Sequence, residues 1–310
     1  QDVLPRVISG SSAGAMMAAT VGTHTDTELK KFFDPQNIVV DAGVKKRFLD
    51  WFLLGREGRL DIGYIEAMQA HFVRDLTFQE AFELTGHAIN ISISPAEANQ
   101  KSRLLNAITS PNVYIRSAVK ASCAVPGAMA PVMLEAKSTR GERVAYLPSR
   151  RWVDGSVSGD MPAKRLARLY GVNHFIASQT NPLVLWAMSD PKLDNGIKAK
   201  IKRMPVRMVK DLIELNYFAS KPLLRGSPSL NIVMGQLHSM VTQSYTGDIN
   251  IIPRYRLFDP RKLARRWSEK EMQFLLREGE MATWPKIEMI RSCMKIGRKL
   301  DSILADFAED

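Results

Sequence analysis

The segment that most constrains the fold is a glycine- and serine-rich turn at residues 10–14, with the sequence GSSAG. It follows a short apolar run, Val3 to Ser9, and it precedes an uncharged stretch rich in Ala and Met, Ala13 to Val21. A strand, a tight turn and a buried helix in immediate succession are the opening of an α/β unit. The sequence therefore predicts that Ser12 lies where a strand turns sharply into a helix.

The pattern G-x-S-x-G is typical of a nucleophile elbow, in which a strained turn presents a serine hydroxyl. We expect Gly10 and Gly14 to provide the space that the adjacent strand and helix need around Ser12. The first turn of the helix would direct its N–H groups and positive dipole end toward this serine, with Ala13 as the backbone donor to an oxyanion. An ordinary turn or a phosphate-binding loop is the alternative, although no lysine follows as in a P-loop.

Strand-like and helical patterns continue to alternate up to about residue 180, which favours a mainly parallel central sheet flanked by helices. We therefore predict an α/β class, with residues 1–182 as the core and 183–310 as a mostly helical region packed on it. The predicted helices are Ala13–Val21, Asp26–Phe33, Asp61–Val73, Val113–Ala124, Pro162–Tyr170 and Glu269–Phe307, the last interrupted at Pro285. The predicted strands are Val3–Ser9, His87–Ser94, Asn173–Thr180 and Gly247–Pro253, and Val144–Val153 contains strand-like pieces that lead into Asp154-Gly155.

Composition excludes several classes of protein. A hydrophobic content of 45% and a charged content of 24% are near globular averages and rule out a disordered or collagen-like chain. The longest apolar candidate, residues 121–134, is shorter than the ~20 residues of a membrane span and is broken by two prolines. The two cysteines, Cys123 and Cys293, exclude a disulfide framework and are interpreted as free thiols.

The chain is basic, with 43 Lys and Arg against 32 Asp and Glu and a net charge of +11. This charge indicates an acidic partner, and the absence of a recognition motif argues against nucleic acid. Residues 192–218 begin with seven basic side chains between Lys192 and Lys210, interleaved with and followed by apolar ones. A basic amphipathic helix can lie on an anionic lipid surface, and a solvated helix packed on the core is the alternative. With no secretory signal at residues 1–9, we predict a cytoplasmic or peripherally lipid-associated protein.

A serine nucleophile needs a base, and histidine is the usual one. Each histidine lies in a helical or strand-like context that favours a structural role: His24, His71, His87, His174 and His238. Asp154 is the other candidate base, because Asp154-Gly155 follows a predicted strand and would project at the edge of the sheet. To accept a serine proton, Asp154 would have to be partly desolvated. A Ser12–Asp154 dyad is our prediction, and a conventional triad remains the alternative.

The sequence resembles the patatin-like phospholipases, which use a Ser–Asp dyad. The resemblance rests on GSSAG at 10–14, AVPG at 124–127, DGS at 154–156 and DMP at 160–162. It is greatest to the branch that contains the triacylglycerol lipases of fungal and plant lipid droplets and their bacterial relatives. That placement rests on NHF at 173–175, QTNP at 179–182, TGDI at 246–249 and ATWP at 282–285.

This resemblance implies a three-layer α/β fold and cleavage of carboxylic esters in glycerolipids, as a triacylglycerol lipase or a phospholipase A. Ser12 would carry the acyl-enzyme intermediate, Asp154 would be the base, and no metal or organic cofactor would be needed. Two features depart from the family: Ser156 replaces the usual Gly or Ala, and the Gly-rich oxyanion loop that precedes the elbow strand is not in the sequence. The second departure leads us to expect residues before Gln1. The alternative function is a non-catalytic lipid-binding protein on the same fold, and the oligomeric state is left open.

Overall fold

The computed structural model describes residues 3–38, 62–97, 100–124, 129–155, 162–178, 247–253 and 268–309. The strands are β1 Val7–Gly10, β2 Ala88–Pro95, β3 Arg103–Leu105, β4 Leu134–Lys137, β5 Arg143–Tyr146, β6 Trp152–Asp154, β7 Ile176–Ser178 and β8 Ile249–Ile251. The helices are α1 Ala13–Gly22, α2 Asp26–Phe32, α3 Pro35–Ile38, α4 Ile62–Phe72, α5 Phe78–Thr85, α6 Ile115–Ser122, α7 Ala163–Tyr170, α8 Glu269–Thr283 and α9 Ile287–Glu309.

The strand β2 is the centre of the described sheet, and all eight of its residues are buried. It pairs in parallel with β1, where Gly10 lies opposite Ile91. It pairs in antiparallel orientation with β3 and with β6, where Asp154 lies opposite Ile93. The last residues of β1 and β6 are therefore held at positions only two residues apart on β2.

Small side chains allow α1 to pack closely against this sheet. The buried residues of α1 are mainly alanines, and the isoleucines Ile89 and Ile91 of β2 belong to the same core cluster. Because the interior is close-packed, short side chains on the helix bring its backbone near the strands. The cluster that α1 shares with β2, α6 and β6 includes Ala15, Ala18, Ala19, Ile89, Ile91, Ile115, Ala118 and Trp152.

The predicted α/β class is confirmed, but the described sheet is mixed rather than mainly parallel. The connection from β2 to β3 spans only residues 96–102, whereas a parallel crossover needs about a dozen residues or more. The pair β4–β5 is an antiparallel hairpin, for the same reason. Parallel pairing is found for β1 with β2 and for β7 with β8, which are separated by longer stretches of chain.

The predicted helix Glu269–Phe307 is confirmed, including its interruption. A 3₁₀ turn at Trp284–Lys286 contains Pro285 and separates α8 from α9. On α9, several apolar side chains are exposed, among them Ile296, Leu304 and Phe307. Among the described helices, none is both long and apolar enough to span a bilayer. The predicted basic segment 192–218 and the domain boundary at residue 182 lie outside the described residues.

Candidate active site

The elbow is the two-residue turn Ser11-Ser12 between β1, which ends at Gly10, and α1, which begins at Ala13. Ser12 has φ 54° and ψ −118°, a conformation that residues other than glycine rarely adopt. Such a conformation costs about 1–3 kcal/mol and persists only where the surrounding structure holds it. Ser12 therefore lies at the strained strand-to-helix turn that the motif predicts.

Gly10 is required by the close approach of α1 to the end of β1. A Cβ atom on Gly10 would lie 2.1 Å from the carbonyl carbon and oxygen of Gly14 and 2.6 Å from the amide nitrogen of Ala15. At Gly14, by contrast, an added Cβ would meet no atom within 4 Å in the part of the chain that the structure describes. The steric requirement that we expected at both glycines is therefore seen at Gly10 alone.

The first turn of α1 leaves a backbone donor at the elbow. The N–H of Gly14 donates to the carbonyl of Ser11 at 2.9 Å, and the N–H of Met16 donates to the carbonyl of Ser12 at 3.1 Å. The N–H of Ala13 belongs to the first helical residue, which has no acceptor within its own helix. This geometry is compatible with the predicted role of Ala13 as an oxyanion donor.

The candidate base, Asp154, is the last residue of β6 and is only 2% exposed. Its Oδ1 atom accepts a hydrogen bond from the Ser11 hydroxyl at 3.3 Å. Ser11 precedes Ser12 in the elbow. The sheet therefore brings the Asp154 carboxylate to the elbow, although the two are far apart in the sequence. Sequence reasoning singled out Asp154 and Ser12, but it gave no role to Ser11.

Cys123 is a further member of the cluster that sequence reasoning missed. Burial raises the pKa of its thiol to about 12, and the negative charge of Asp154 raises that pKa as well. A hydrogen bond with the Ser12 side chain acts in the opposite direction and lowers the pKa. The thiol is therefore protonated at neutral pH and lies close to both predicted dyad residues.

Ser122 also contacts the elbow and was not identified from the sequence. Its hydroxyl accepts a hydrogen bond from the backbone N–H of Ser12 at 3.0 Å. The neighbouring motif at 124–127 is part of the family resemblance, but a serine at the end of a helix gives no indication of such a contact. Residues 125–128 lie outside the described residues, whereas Ala124 is buried and accepts the N–H of Asp154 at 3.0 Å.

Three of the described histidines, His24, His71 and His87, contact groups other than the proposed dyad. A ring nitrogen of His24 lies 2.8 Å from the carbonyl of Thr20, and one of His71 lies 2.8 Å from the carbonyl of Asn37. His87 is buried with its Nε2 atom 3.9 Å from a carboxylate oxygen of Asp26. These contacts fit the structural roles predicted for the three residues. Within the described part of the chain, no group of three His, Cys, Asp or Glu side chains is arranged to hold a metal ion.

The fold and the site are those of proteins with a nucleophile elbow, in which an α/β sheet presents a strained serine beside a buried carboxylate. Residues 1–167 match the family model described as patatin-like phospholipase. The chain belongs to the patatin-like phospholipase family, which confirms the resemblance seen in its motifs.

Several proteins named as lipases are similar to most of this chain. It is 32% identical to triacylglycerol lipase 4 of Saccharomyces cerevisiae over 94% of its length. It is 31% identical to triacylglycerol lipase SDP1L of Arabidopsis thaliana over 96%, and 29% identical to triacylglycerol lipase ptl3 of Schizosaccharomyces pombe over 94%. The chain spans 34%, 38% and 62% of these three relatives, respectively.

Proposed function

We propose that this protein hydrolyses carboxylic ester bonds of glycerolipids, with Ser12 as the nucleophile and Asp154 as its base. The observation that carries the proposal is the buried Asp154 carboxylate, which lies 3.3 Å from the hydroxyl of Ser11 in the strained elbow. A carboxylate buried at this point can accept a proton from a hydroxyl on the same turn. The family and the names of the relatives support lipid esters as the class of substrate.

The reaction would proceed in two steps through Ser12. As its Oγ atom attacks the ester carbonyl carbon, the proton passes to Asp154 and the oxyanion accepts the N–H of Ala13. Collapse of the tetrahedral intermediate releases the alcohol, which takes the proton from Asp154. Water then attacks the acyl-enzyme in the same way and releases the fatty acid.

The side chains must move for this chemistry to occur. In the structure the Ser12 side chain lies beside the Cys123 thiol, and the carboxylate of Asp154 accepts the hydroxyl of Ser11. Proton transfer from Ser12 requires its side chain to turn from the thiol toward the carboxylate. Catalytic hydrogen bonds are often long or misaligned before substrate binds, so this arrangement fits a resting state.

Triacylglycerol is the first candidate substrate, because three similar proteins carry that activity in their names. Phospholipid cleavage by a phospholipase A reaction is the second candidate, because it is the activity in the family's name. The same acyl-enzyme intermediate can also transfer its acyl group to an alcohol instead of water. For access to an insoluble substrate, we propose that the basic segment 192–218 lies on an anionic lipid surface.

The test is hydrolysis of a short p-nitrophenyl ester and of emulsified triacylglycerol by Ser12→Ala and Asp154→Asn. Each variant should lose at least about a thousandfold in kcat, because an acyl-enzyme mechanism needs both groups. The matched controls are Ser178→Ala and Asp26→Asn. Both residues are exposed, so we expect these substitutions to leave turnover unchanged. Full activity of either dyad variant would refute the assignment, and a wild-type protein that binds lipid without hydrolysing it would support the lipid-binding alternative.

A further inference from the structure

A three-residue segment at the C-terminal end of α6 contacts both halves of the proposed dyad. We call Ser122, Cys123 and Ala124 the bracket. The Ser122 hydroxyl accepts the Ser12 N–H at 3.0 Å, and the Ala124 carbonyl accepts the Asp154 N–H at 3.0 Å. The Cys123 thiol lies beside the Ser12 side chain. The backbones of nucleophile and base are thus attached to the same short segment.

Within the bracket, Ser122 is the residue that connects the elbow to the central strand. It is completely buried, and its hydroxyl donates to the carbonyl of Ser92 at 2.8 Å while it accepts from Ser12. A hydroxyl has one proton and two lone pairs, so it can make both bonds at once. Ser122 therefore joins the backbone of the elbow to the middle of β2.

The position of Ser92 on β2 explains how this connection relates to the proposed dyad. Ser92 lies between Ile91, which pairs with Gly10 at the elbow, and Ile93, which pairs with Asp154. The backbone after Asp154 also packs on this carbonyl, because a Cβ on Gly155 would lie 2.2 Å from the Ser92 oxygen. The carbonyl that Ser122 binds thus lies between the two residues of β2 that pair with the ends of β1 and β6.

We infer that Ser122 is a positioning residue, whose hydroxyl holds Ser12 in its strained conformation at a fixed distance from Asp154. The inference rests on the proposed function of Ser12 and Asp154. Without this hydroxyl, the N–H of Ser12 would lose this acceptor and the buried carbonyl of Ser92 would lose one donor. The elbow would then relax toward an ordinary turn, and the nucleophile would leave the position from which it reacts.

The experiment compares Ser122→Ala with Ser117→Ala. Ser117 is a buried serine of the same helix, and its hydroxyl also bridges two backbone groups, the carbonyl of Tyr114 at 2.9 Å and the N–H of Glu135 at 3.1 Å. Both substitutions remove the same kind of interaction, and we expect similar decreases in thermal stability. Only Ser122→Ala should also lower kcat and the rate at which a fluorophosphonate labels Ser12, by about 10- to 100-fold, with KM changed little.

A second measurement does not depend on catalysis. Amide hydrogen exchange of the peptide that contains residues 10–14, followed by mass spectrometry, should become faster in Ser122→Ala and stay unchanged in Ser117→Ala. Ser122→Thr keeps the hydroxyl and should restore the protection and most of the labelling rate. Equal effects of the two alanine variants on kcat, or unchanged exchange in Ser122→Ala, would overturn the inference. An inactive wild-type protein with faster exchange in Ser122→Ala would instead refute the proposed function and leave the positioning role supported.

Discussion

A substitution at Gly10 tests the packing of the elbow in isolation from its chemistry. Carbon atoms in contact are optimally about 3.5–4.0 Å apart. In Gly10→Ala the new Cβ would lie 2.1 Å from the Gly14 carbonyl group, so α1 and β1 would have to separate by about 1.4 Å or more. Backbone atoms cannot rotate away as a flexible side chain can. We expect a loss of about 3 kcal/mol in the free energy of unfolding, at the upper end of typical overpacking.

The matched control is Gly14→Ala, four residues further along the chain in the first turn of α1. An added Cβ meets no atom within 4 Å among the described residues, and Gly14 is not one of the glycines with positive φ. Since alanine is favoured over glycine in a helix by about 0.5–1 kcal/mol, this variant should be as stable as the wild type or slightly more stable.

Thermal unfolding followed by circular dichroism measures both variants. At about 2–4 °C per kcal/mol, Gly10→Ala should lower the midpoint by about 6–12 °C, and Gly14→Ala should leave it unchanged or raised. A midpoint of Gly10→Ala within a degree of the wild type would refute the described approach of α1 to β1. Equal destabilisation by both substitutions would do the same.

Three further predictions concern the core, the site and the lipid surface. Because its pKa is raised to about 12, the Cys123 thiol stays neutral at pH 8 and should resist iodoacetamide until the protein is unfolded, and rapid labelling of the native protein would contradict this. Asn90 is fully buried and accepts hydrogen bonds from Asn106 and Tyr170, so Asn90→Ala should lower the free energy of unfolding in urea by about 1–3 kcal/mol, and an unchanged midpoint would be evidence against the network. Replacing the four cations between residues 198 and 203 with Gln should weaken flotation with anionic vesicles, at about 1 kcal/mol per cation, and should not change flotation with neutral ones. If Phe307→Gln on α9 has the larger effect, the contact surface lies on that helix instead.

Much of the fold could be predicted because its signals are local. The strand–turn–helix unit at the elbow, the alternating segment that became β2 and the proline interruption before α9 each follow from a few adjacent residues. The helix α5 was missed although Thr77 and Glu80 form a capping box whose T-x-x-E pattern is in the sequence. The short strand β3 carries no periodic pattern, and its antiparallel pairing follows from a connection length that only the structure shows.

The site was predicted only as far as its motifs extend. Ser12 and Asp154 stand in recognisable patterns, whereas Ser122 and Cys123 act through contacts with residues more than a hundred positions away. Nothing in the sequence distinguishes a helical serine that will be buried from any other polar residue of a helix. Its role depends on which backbone groups the sheet places beside it, and that information is distributed over three separate strands and the elbow.

The measurement that most directly tests the central claim is peptide mapping of the protein after reaction with a fluorophosphonate. Ser11 and Ser12 are adjacent, and in the structure it is the Ser11 hydroxyl that lies beside Asp154, so the site of the adduct distinguishes the two. Our account predicts a single phosphonyl adduct on Ser12 in the wild-type protein and a strongly slowed reaction in Asp154→Asn. An adduct on Ser11, or labelling of Ser12 at an undiminished rate in Asp154→Asn, would contradict the assignment of nucleophile and base.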